Sequence, residues 1–248
     1  MIQKIMQSMK LGVQRLLASQ GYALVHNSNA RNRCTMDAAI RAINNRKHSI
    51  NTVIDIGASD GRWSASAMAV FPECEYLLIE AQATHEKELQ QFCQKNSNAQ
   101  FALAAAGEAV GKIYFKADDP FGGQASHVPY SENNMEVPVT TLDNEIQSHK
   151  LSGPFLIKFD THGFELPILK GASAVLKETE VIVMECYNYK ISEDCLLFFE
   201  MCNHLKGHGF RCIDLVEPMY RPHDDTFWQV DLVFVRDSRP EFEYSSYK

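Results

Sequence analysis

The sequence has few basic residues and no cluster of them. It carries 24 Lys and Arg against 31 Asp and Glu, which gives a formal net charge of -7 at pH 7. Nucleic-acid binding depends on neutralising phosphates with Lys and Arg, so this balance argues against a nucleic-acid partner and favours a small-molecule one. No apolar run reaches the length of a transmembrane helix, and the N-terminus lacks the continuous apolar stretch of a signal peptide. We therefore expect a soluble protein that is not exported.

Cysteine pairs at metal-binding or redox spacing are also lacking. The seven cysteines contain no C-x-x-C pair, and an odd number without such spacing predicts neither a disulfide framework nor a zinc site. A reducing, cytoplasmic location suits them. With 248 residues, 45% of them hydrophobic, the chain can bury one substantial core. We predict an N-terminal helical extension over residues 1–48 and one domain over residues 49–248.

The first residues have a helical pattern. Apolar side chains recur at helical spacing at Ile2, Ile5, Met6, Met9, Val13, Leu16 and Leu17. The three cations among them are few for a membrane-surface anchor, which is the alternative interpretation. We expect this helix to pack on the domain or on a second copy of it, which would allow a homodimer through the N-terminal helices. A second helix is predicted over residues 37–47.

Short apolar, β-branched runs alternate with helical patterns through the rest of the chain. Strands are predicted at residues 52–56, 76–79, 100–104, 155–159, 181–184, 210–215 and 230–235. Helical spacing is clearest at residues 84–94, 165–176 and 194–206. Such alternation predicts an α/β fold with a mostly parallel sheet and helices on both faces. Residues 217–227 have no helical period, so the last two strands should form an antiparallel pair at the edge of the sheet.

A glycine turn follows the first predicted strand, and an acid ends the second. In open sheets of this kind, ligands bind at the C-terminal ends of the strands. The turn contains Gly57 and Gly61, and the acid is Glu80. Backbone N–H groups of such a turn can approach a ligand closely, and an acid about 20 residues further on is placed to bind two ribose hydroxyls. The pair indicates a cofactor that contains adenosine.

The dinucleotide fingerprint G-x-G-x-x-G is incomplete. Ser59 replaces its second glycine, the one that makes room for a pyrophosphate. A cofactor with a carboxylate and an ammonium in place of the pyrophosphate would fit this loop and would give Asp55 a cationic partner. S-adenosyl-L-methionine is such a molecule. An NAD-dependent oxidoreductase and a catalytically inactive cofactor-binding module are the alternatives.

Four segments resemble the successive signatures of the FkbM-type S-adenosylmethionine-dependent methyltransferases. They are VIDIGASDGRW, LLIEAQ, VPVTTLDNEI and FLIKFDTHGFELPILKGA, within residues 52–236. The resemblance implies a class I methyltransferase (Rossmann-like) fold and methyl transfer to a hydroxyl of a sugar, glycolipid or other small metabolite. It implies that the methionine end lies at the glycine turn, the ribose at Glu80 and the adenine near Gln82. The predicted cofactor-binding residues are Asp55, Gly57, Ser59, Gly61, Glu80, Ala81, Gln82 and Ala105.

Asp160 and His162 follow the fourth predicted strand, and we predict that they are the catalytic residues. Many relatives carry a carboxamide or an acid where this chain has His162, so its role comes from its chemistry and not from the resemblance. An acceptor hydroxyl must lose its proton, and a histidine base predicts a rate that rises through roughly pH 6 to 7. A Mg²⁺ ion held by Asp160 and Glu185 ranks lower, because two acids give only a partial oxygen shell. We therefore predict no metal site.

Four polar residues have two interpretations each. Thr140, Thr141 and Asp143 either cap a helix that starts near Asp143 or take part in catalysis. Glu165 either acts at the site or stabilises the first turn of the following helix. Capping is the stronger expectation for the two threonines and the aspartate.

Two more segments are candidates for the acceptor side of the site. Residues 121–127 form a glycine-containing loop that could close over a substrate or simply run over the surface. Gln229 and Asp231 fall on the same side of the last strand by the two-residue alternation, with Trp228 on the other. These two polar side chains either line the acceptor pocket or face water.

Overall fold

The computed structural model describes Val13 and residues 34–117, 119–132 and 134–247. The helix predicted for the first residues lies outside this part apart from Val13, so a homodimer through it stays a prediction. The next predicted helix is confirmed at Met36–Asn45 (α1), where the Thr35 side chain accepts a hydrogen bond from the N–H of Ala38. No helix in the described part of the chain has the length and apolar character needed to cross a membrane.

The predicted strands form one sheet of seven. They are β1 (Thr52–Ile56), β2 (Glu75–Glu80), β3 (Ala99–Leu103), β8 (Phe155–Phe159), β9 (Thr179–Tyr187), β10 (Phe210–Arg221) and β11 (Thr226–Arg236). Their order across the sheet is β3, β2, β1, β8, β9, β11, β10. The first five are parallel, whereas β11 runs antiparallel to both β9 and β10. The expected antiparallel pair at the edge is confirmed: β10 is the edge strand, and β11 lies between β10 and β9.

Helices cover both faces of this sheet. They are α2 (Arg62–Met68), α3 (Glu86–Lys95), α4 (Leu142–His149), α5 (Glu165–Lys170) and α6 (Phe198–Gly207). α1, α2 and α3 pack on the face of Val53, whereas α4, α5 and α6 pack on the face of Ile54 and Ile56. α1 buries Ile40 and Ile43 in the first of these cores. Because side chains of β1 alternate between the two faces, they contribute to a hydrophobic core on each face of the sheet. The predicted domain boundary after residue 48 stays a prediction.

A second sheet of four short strands was not predicted. It contains β4 (Ala105–Ala106), β5 (Gly111–Lys116), β6 (Gln124–Ser126) and β7 (Asn134–Thr140), in the order β4, β7, β5, β6. Its buried side chains, among them Ile113, Phe115, Val137 and Val139, belong to the same core as α4 and α5. The sheet therefore covers the face of Ile56 next to the C-terminal end of β1, which forms a wall of the site described below.

The structure corrects three predicted boundaries. The helix expected over residues 165–176 ends at Lys170, and a 3-10 turn follows at Val175–Glu178. The Asp143 carboxylate accepts hydrogen bonds from the N–H groups of Ala174 and Val175, which starts this turn as a separate element. The helix expected from residue 194 begins only at Phe198, because Leu197 is extended and bridges to β9. Most of residues 217–227 belongs to β10 and β11, which reach Arg221 and start at Thr226.

Candidate active site

The turn after β1 is glycine-rich because the protein's own backbone packs against it. Gly57 has φ +77°, and a Cβ there would lie 2.0 Å from the carbonyl oxygen of Asp160. Gly61 has φ +83°, precedes α2, and would place a Cβ 3.2 Å from the ring of Phe92. At Gly57 a side chain is therefore excluded by the protein's own backbone before any ligand is considered, and at Gly61 it is disfavoured by the positive φ and the close Phe92 ring. The close approach holds the end of β8 beside the turn.

Glu80 joins the second strand to this turn through its carboxylate. Oε2 accepts a hydrogen bond from the N–H of Ser59 at 2.8 Å, and Oε1 accepts one from the N–H of Gln82 at 2.7 Å. The side chain is buried, and burial raises the pKa of Glu80, although the two N–H groups act in the opposite direction. Each carboxylate oxygen has further lone pairs, so the group can also accept from the hydroxyls of a ligand.

A cavity of about 550 Å³ lies between the turn, the ends of β2 and β3, and the small sheet. We name it the β1–β3 cavity. Eight of the ten residues predicted for the site line it, namely Gly57, Ser59, Glu80, Ala81, Gln82, Ala105, Asp160 and His162. Ile56, Ile79 and Phe115 add apolar walls. Asp55 and Gly61 are outside the lining.

Asp55 lies beneath the turn and is fully buried. Its Oδ2 accepts a hydrogen bond from Ser64 Oγ of α2 at 2.7 Å, and its Oδ1 lies 3.9 Å from Lys158 Nζ. Burial raises the pKa of this carboxyl, and the lysine opposes that shift. The cation beside Asp55 thus comes from the protein, because β8 places Lys158 opposite Asp55 in the parallel register. The sequence predicts that the ammonium of the cofactor also faces Asp55, and this stays a prediction.

Lys158 also binds Asp160, the residue predicted as catalytic. Its Nζ lies 2.6 Å from Asp160 Oδ2. Burial acts to raise the pKa of Asp160, but the Lys158 ammonium outweighs it and the pKa falls below its usual value. Asp160 is therefore a carboxylate at neutral pH, held at the boundary of the β1–β3 cavity.

His162 follows two residues later, with backbone φ +49°. Its Nδ1 lies 3.1 Å from Glu185 Oε2 and 2.9 Å from the hydroxyl of Tyr187. Its Nε2 lies 3.0 Å from the carbonyl oxygen of Phe121 and 3.9 Å from Asp160 Oδ1. Burial acts to lower the pKa of His162, but the hydrogen bond to Glu185 and the charges of Glu185 and Asp160 raise it to about 9. The imidazole is therefore protonated at neutral pH.

Glu185 is held in place from two sides. The hydroxyl of Tyr187 and the amide of Gln229 both donate hydrogen bonds to its carboxylate. Tyr187 lies two residues along β9, on the same side of the strand as Glu185. Burial and the neighbouring Glu185 charge raise the pKa of Tyr187, so the phenol keeps its proton and serves as a donor. These contacts fix the position of Glu185, which in turn orients His162.

Residues 119–121 contact both the residues that follow Glu80 and the side chain of His162. Gln82 Nε2 donates to the carbonyl oxygen of Pro120 at 3.0 Å, and a ring nitrogen of His85 lies 2.7 Å from the same oxygen. On the other side the carbonyl of Phe121 contacts His162, and the guanidinium of Arg62 lies 4.5 Å from the Phe121 ring centre. The segment therefore covers the opening between Glu80 and His162. It shares only Phe121 with the loop predicted over residues 121–127, and Gln124–Ser126 of that predicted loop form β6 instead.

The capping interpretation fits the residues after β7. Thr141 precedes α4 and accepts a hydrogen bond from the N–H of Asn144. Thr140 binds the Glu145 side chain, and Asp143 caps the 3-10 turn noted above. Glu165 accepts from the N–H of Gly163 and the hydroxyl of Thr161, each at 3.0 Å, so it holds the turn that carries His162.

Asp160, His162 and Glu185 are the described residues that could together hold a metal ion. One ligand atom from each lies within 4.8 Å of the others. The Lys158 ammonium already occupies Asp160 Oδ2, and both ring nitrogens of His162 have partners. A divalent cation at this position would compete with the ammonium, so the charges favour the ion pair. The expectation of no metal stays a prediction.

Lys158, Tyr187 and Phe121 were missed by sequence reasoning. Lys158 offered a signal, because a lysine inside the apolar run FLIKF needs a buried countercharge. Tyr187 also offered one, since it shares a side of its strand with Glu185. Phe121 acts through its main-chain carbonyl, which no side-chain pattern indicates.

Comparison with known proteins identifies the class of the protein and then its family. The fold is that of the class I methyltransferases, a Rossmann-like, mostly parallel sheet with an antiparallel edge pair. The family described as the Methyltransferase FkbM domain matches residues 55–212, more than half of the chain. The chain belongs to this FkbM methyltransferase family. A search of curated protein sequences gave no match.

Three solved structures to which this chain is similar come from different organisms. The fibrillarin pre-rRNA processing protein of Methanococcus jannaschii has 13% identity and a TM-score of 0.49, over 84% of this chain and 77% of that one. Precorrin-6y C5,15-methyltransferase of Geobacter metallireducens has 12% identity and a TM-score of 0.43, over 84% and 92%. The 1,6-didemethyltoxoflavin-N1-methyltransferase of Burkholderia thailandensis, solved with S-adenosylhomocysteine, has 11% identity and a TM-score of 0.46, over 81% and 76%. At these identities the likeness concerns the fold alone.

Proposed function

We propose that the protein transfers the methyl group of S-adenosyl-L-methionine to a hydroxyl of a small metabolite, sugar or glycolipid. The observation that carries the proposal is the position of two groups on one cavity. Glu80, Asp160 and His162 all line the β1–β3 cavity. Family membership supports methyl transfer, and the site supplies acceptors for a ribose and for a proton.

The residues present fit this cofactor. The Glu80 carboxylate keeps lone pairs for two ribose hydroxyls, and Ala81, Gln82 and Ala105 line the cavity where the adenine would lie. The turn at Gly57 and Ser59 would lie against the methionine end. When bound, S-adenosyl-L-methionine supplies an electrophilic methyl group on a sulfonium. Family membership makes the NAD-dependent alternative less favourable, and turnover tests the inactive-module alternative.

The chain's own contribution is to hold the acceptor oxygen and to remove its proton. Holding reactants in line is worth on the order of 7 to 11 kcal/mol in the best oriented systems. A positioned base adds about 10²- to 10⁴-fold. His162 in its neutral form could accept the proton at Nε2 once the acceptor hydroxyl replaces the Phe121 carbonyl there. The Asp160 carboxylate, 3.9 Å from Nε2, would stabilise the imidazolium that forms.

Ligand binding tests the cofactor. S-adenosyl-L-methionine and S-adenosylhomocysteine should raise the melting temperature in a thermal-shift assay, whereas NAD should not. A ligand at 100 times its Kd stabilises a protein by about 2.7 kcal/mol, which such an assay detects easily. Stabilisation by NAD alone would contradict the proposal.

Turnover tests the catalytic pair. With an acceptor found by screening hydroxylated metabolites for S-adenosylhomocysteine release, Asp160→Asn should reduce kcat more than His162→Ala. Asp160 directly follows β8 and faces two cations, Lys158 and protonated His162, so its loss disturbs both. Cofactor affinity should stay within about threefold in each variant, because neither residue contacts Glu80. Equal activity of both variants and the parent would remove the pair from the mechanism.

A further inference from the structure

Two histidines lie one turn apart at the end of α6. His204 belongs to the last turn of this helix, and His208 is the residue that caps it. Positions i and i+4 share one side of a helix, so the two side chains are neighbours. Their ring centres lie 4.9 Å apart, and the ring planes are tilted by 53°. The two imidazoles are therefore close enough to share one ligand.

The end of α6 lies at the edge of the main sheet opposite the candidate active site. β10 starts at Phe210, which pairs with Arg236 at the end of β11. The neighbouring Val235 pairs with Val181 near the start of β9. The β1–β3 cavity, by contrast, lies where the parallel strands β1 and β2 end. A ligand held by the histidines is therefore separate from this cavity, and it does not depend on the proposed function.

Both imidazole rings are available to a ligand. Neither makes a hydrogen bond or an ion pair with a residue that the structure describes. The rings of His85, His149 and His162, by contrast, each contact an oxygen atom. Burial and the neighbouring His208 lower the pKa of His204, so at neutral pH this ring is uncharged and has a nitrogen lone pair to offer. His208 is exposed beside it.

The helix holds the pair in a fixed position and favours a cation there. Met201 and Leu205 anchor α6 in the core, where both are buried. The last carbonyl groups of a helix form the negative end of its dipole, which stabilises positive charge. Lys206 is the nearest cation in sequence, but residues two positions apart do not face each other on a helix. The end of α6 is therefore suited to a positively charged ligand of two imidazoles.

The ring spacing fits two imidazoles on one metal ion. Such an ion lies about 2.0–2.1 Å from an imidazole nitrogen, so two rings at octahedral or tetrahedral angles have centres about 4.5 to 5.2 Å apart. The 4.9 Å between His204 and His208 falls within this interval. Imidazole suits Zn²⁺, Ni²⁺ and Cu²⁺, whereas Mg²⁺ and Ca²⁺ prefer oxygen ligands. Histidines at i and i+4 on one side of a helix are also a zinc-ligand spacing.

We infer that His204 and His208 form a structural site for a divalent transition-metal ion such as Zn²⁺ or Ni²⁺. Two ring nitrogens replace two waters of the hydrated ion, and the remaining waters complete its shell. The bound ion joins the last turn of α6 to the residue that precedes Gly209 and β10, so it stabilises this end of the helix. The site is separate from the cluster of Asp160, His162 and Glu185, and it departs from the sequence-based expectation of no metal site.

Metal titration of the full chain tests the inference. In calorimetry, zinc chloride or nickel chloride should bind the EDTA-treated and desalted protein, and magnesium chloride should not bind at this site. The affinity should fall at least tenfold in His204→Gln and in His208→Gln. His223→Gln is the matched control, because His223 is an exposed histidine in the turn between β10 and β11 and should bind as the parent does. Without metal, His208→Gln should melt at the same temperature as the parent, because this side chain is exposed.

Hydrogen exchange locates the bound ion. Zinc should slow the exchange of amides in residues 205–209 at least threefold in the parent, and this slowing should be absent in His208→Gln. Equal metal affinity in the parent and both variants would show adventitious binding only and would overturn the inference. Metal binding that His162→Gln abolishes and His208→Gln retains would assign the ion to the cluster at the candidate active site, which also overturns it.

Discussion

The ammonium of Lys158 lies 2.6 Å from the carboxylate of Asp160, and the lysine side chain is buried in the main sheet. The same Nζ lies 3.9 Å from the fully buried Asp55. One cation thus faces two carboxylates, one at the base of the glycine turn and one at the proposed catalytic position. Burial acts to lower the pKa of Lys158, but Asp160 and Asp55 outweigh it and raise that pKa, so the lysine keeps its charge.

Replacing Lys158 should lower the stability of the protein, because two carboxylates lose their shared cation. Lys158→Met leaves two carboxylates without a cation, and breaking a buried ion pair costs about 3 to 5 kcal/mol. We expect the lower end of that range, because Asp160 is about a third exposed. Urea unfolding measures the loss. Lys170→Met is the matched control, since Lys170 pairs with Glu108 at the surface and should change stability by less than about 1 kcal/mol. Equal losses in the two variants would contradict the structural role of Lys158.

The strands of the main sheet could be predicted because each one is recognisable from its own short run of mostly apolar residues. The runs at residues 52–56 and 155–159 match β1 and β8 at both ends, since each is a continuous buried segment of mostly apolar residues. The small sheet could not be predicted, because its pairs join distant residues. Gly111 pairs with Val139, and only this pairing gives the polar strand GKIYFK a buried side at Ile113 and Phe115.

The residues of the candidate site could be predicted from the sequence where they are polar side chains at or just after the end of a predicted strand. Glu80, Asp160 and His162 follow from that rule, and the structure brings them to one cavity. What could not be predicted are the contacts that set their charges. The pKa of His162 depends on Glu185, which is 23 residues away in sequence. The covering of the cavity depends on the main-chain carbonyls of Pro120 and Phe121.

Glu80 should control cofactor affinity. In Glu80→Gln the acceptor loses its charge, and a hydrogen bond to a charged group is worth about 1.5 to 3 kcal/mol. We therefore expect S-adenosylhomocysteine to bind roughly 10- to 100-fold more weakly in calorimetry. Glu86→Gln, exposed on the next helix, should bind as the parent does. Unchanged affinity in Glu80→Gln would show that the ribose lies elsewhere.

The raised pKa of His162 changes the expected pH dependence of the rate. If His162 is the base, kcat/KM should rise toward pH 9 and not through pH 6 to 7 as the unperturbed imidazole would predict. In Glu185→Gln the main cause of the raised pKa is gone, so this rise should move to lower pH. A rise that stays in place in Glu185→Gln, or persists in His162→Ala, would show that another group is titrating.

The free energy of unfolding should also depend on the titration of His162, but it should fall as pH rises, whereas the rate should increase. The folded pKa of about 9 lies above the unfolded value of 6.5, so His162 contributes its full stabilisation below about pH 6.5. That contribution is lost as pH rises toward 9. Urea unfolding at pH 6, 7.5 and 9 should therefore show a smaller decline in His162→Gln than in the parent. Identical declines would contradict the assignment.

Gly57→Ala tests whether the turn after β1 is set by the protein's own packing. Alanine at φ +77° costs about 1 to 3 kcal/mol, and its Cβ would overlap the Asp160 carbonyl oxygen at 2.0 Å. The turn and the end of β8 must then separate, so we expect at least about 2 kcal/mol of destabilisation together with weaker S-adenosylhomocysteine binding. Gly111→Ala is the matched control, because a Cβ there meets no atom within 4 Å and its φ is not positive. If Gly57→Ala is as stable as Gly111→Ala but binds no cofactor, the glycine is required by the ligand and not by Asp160.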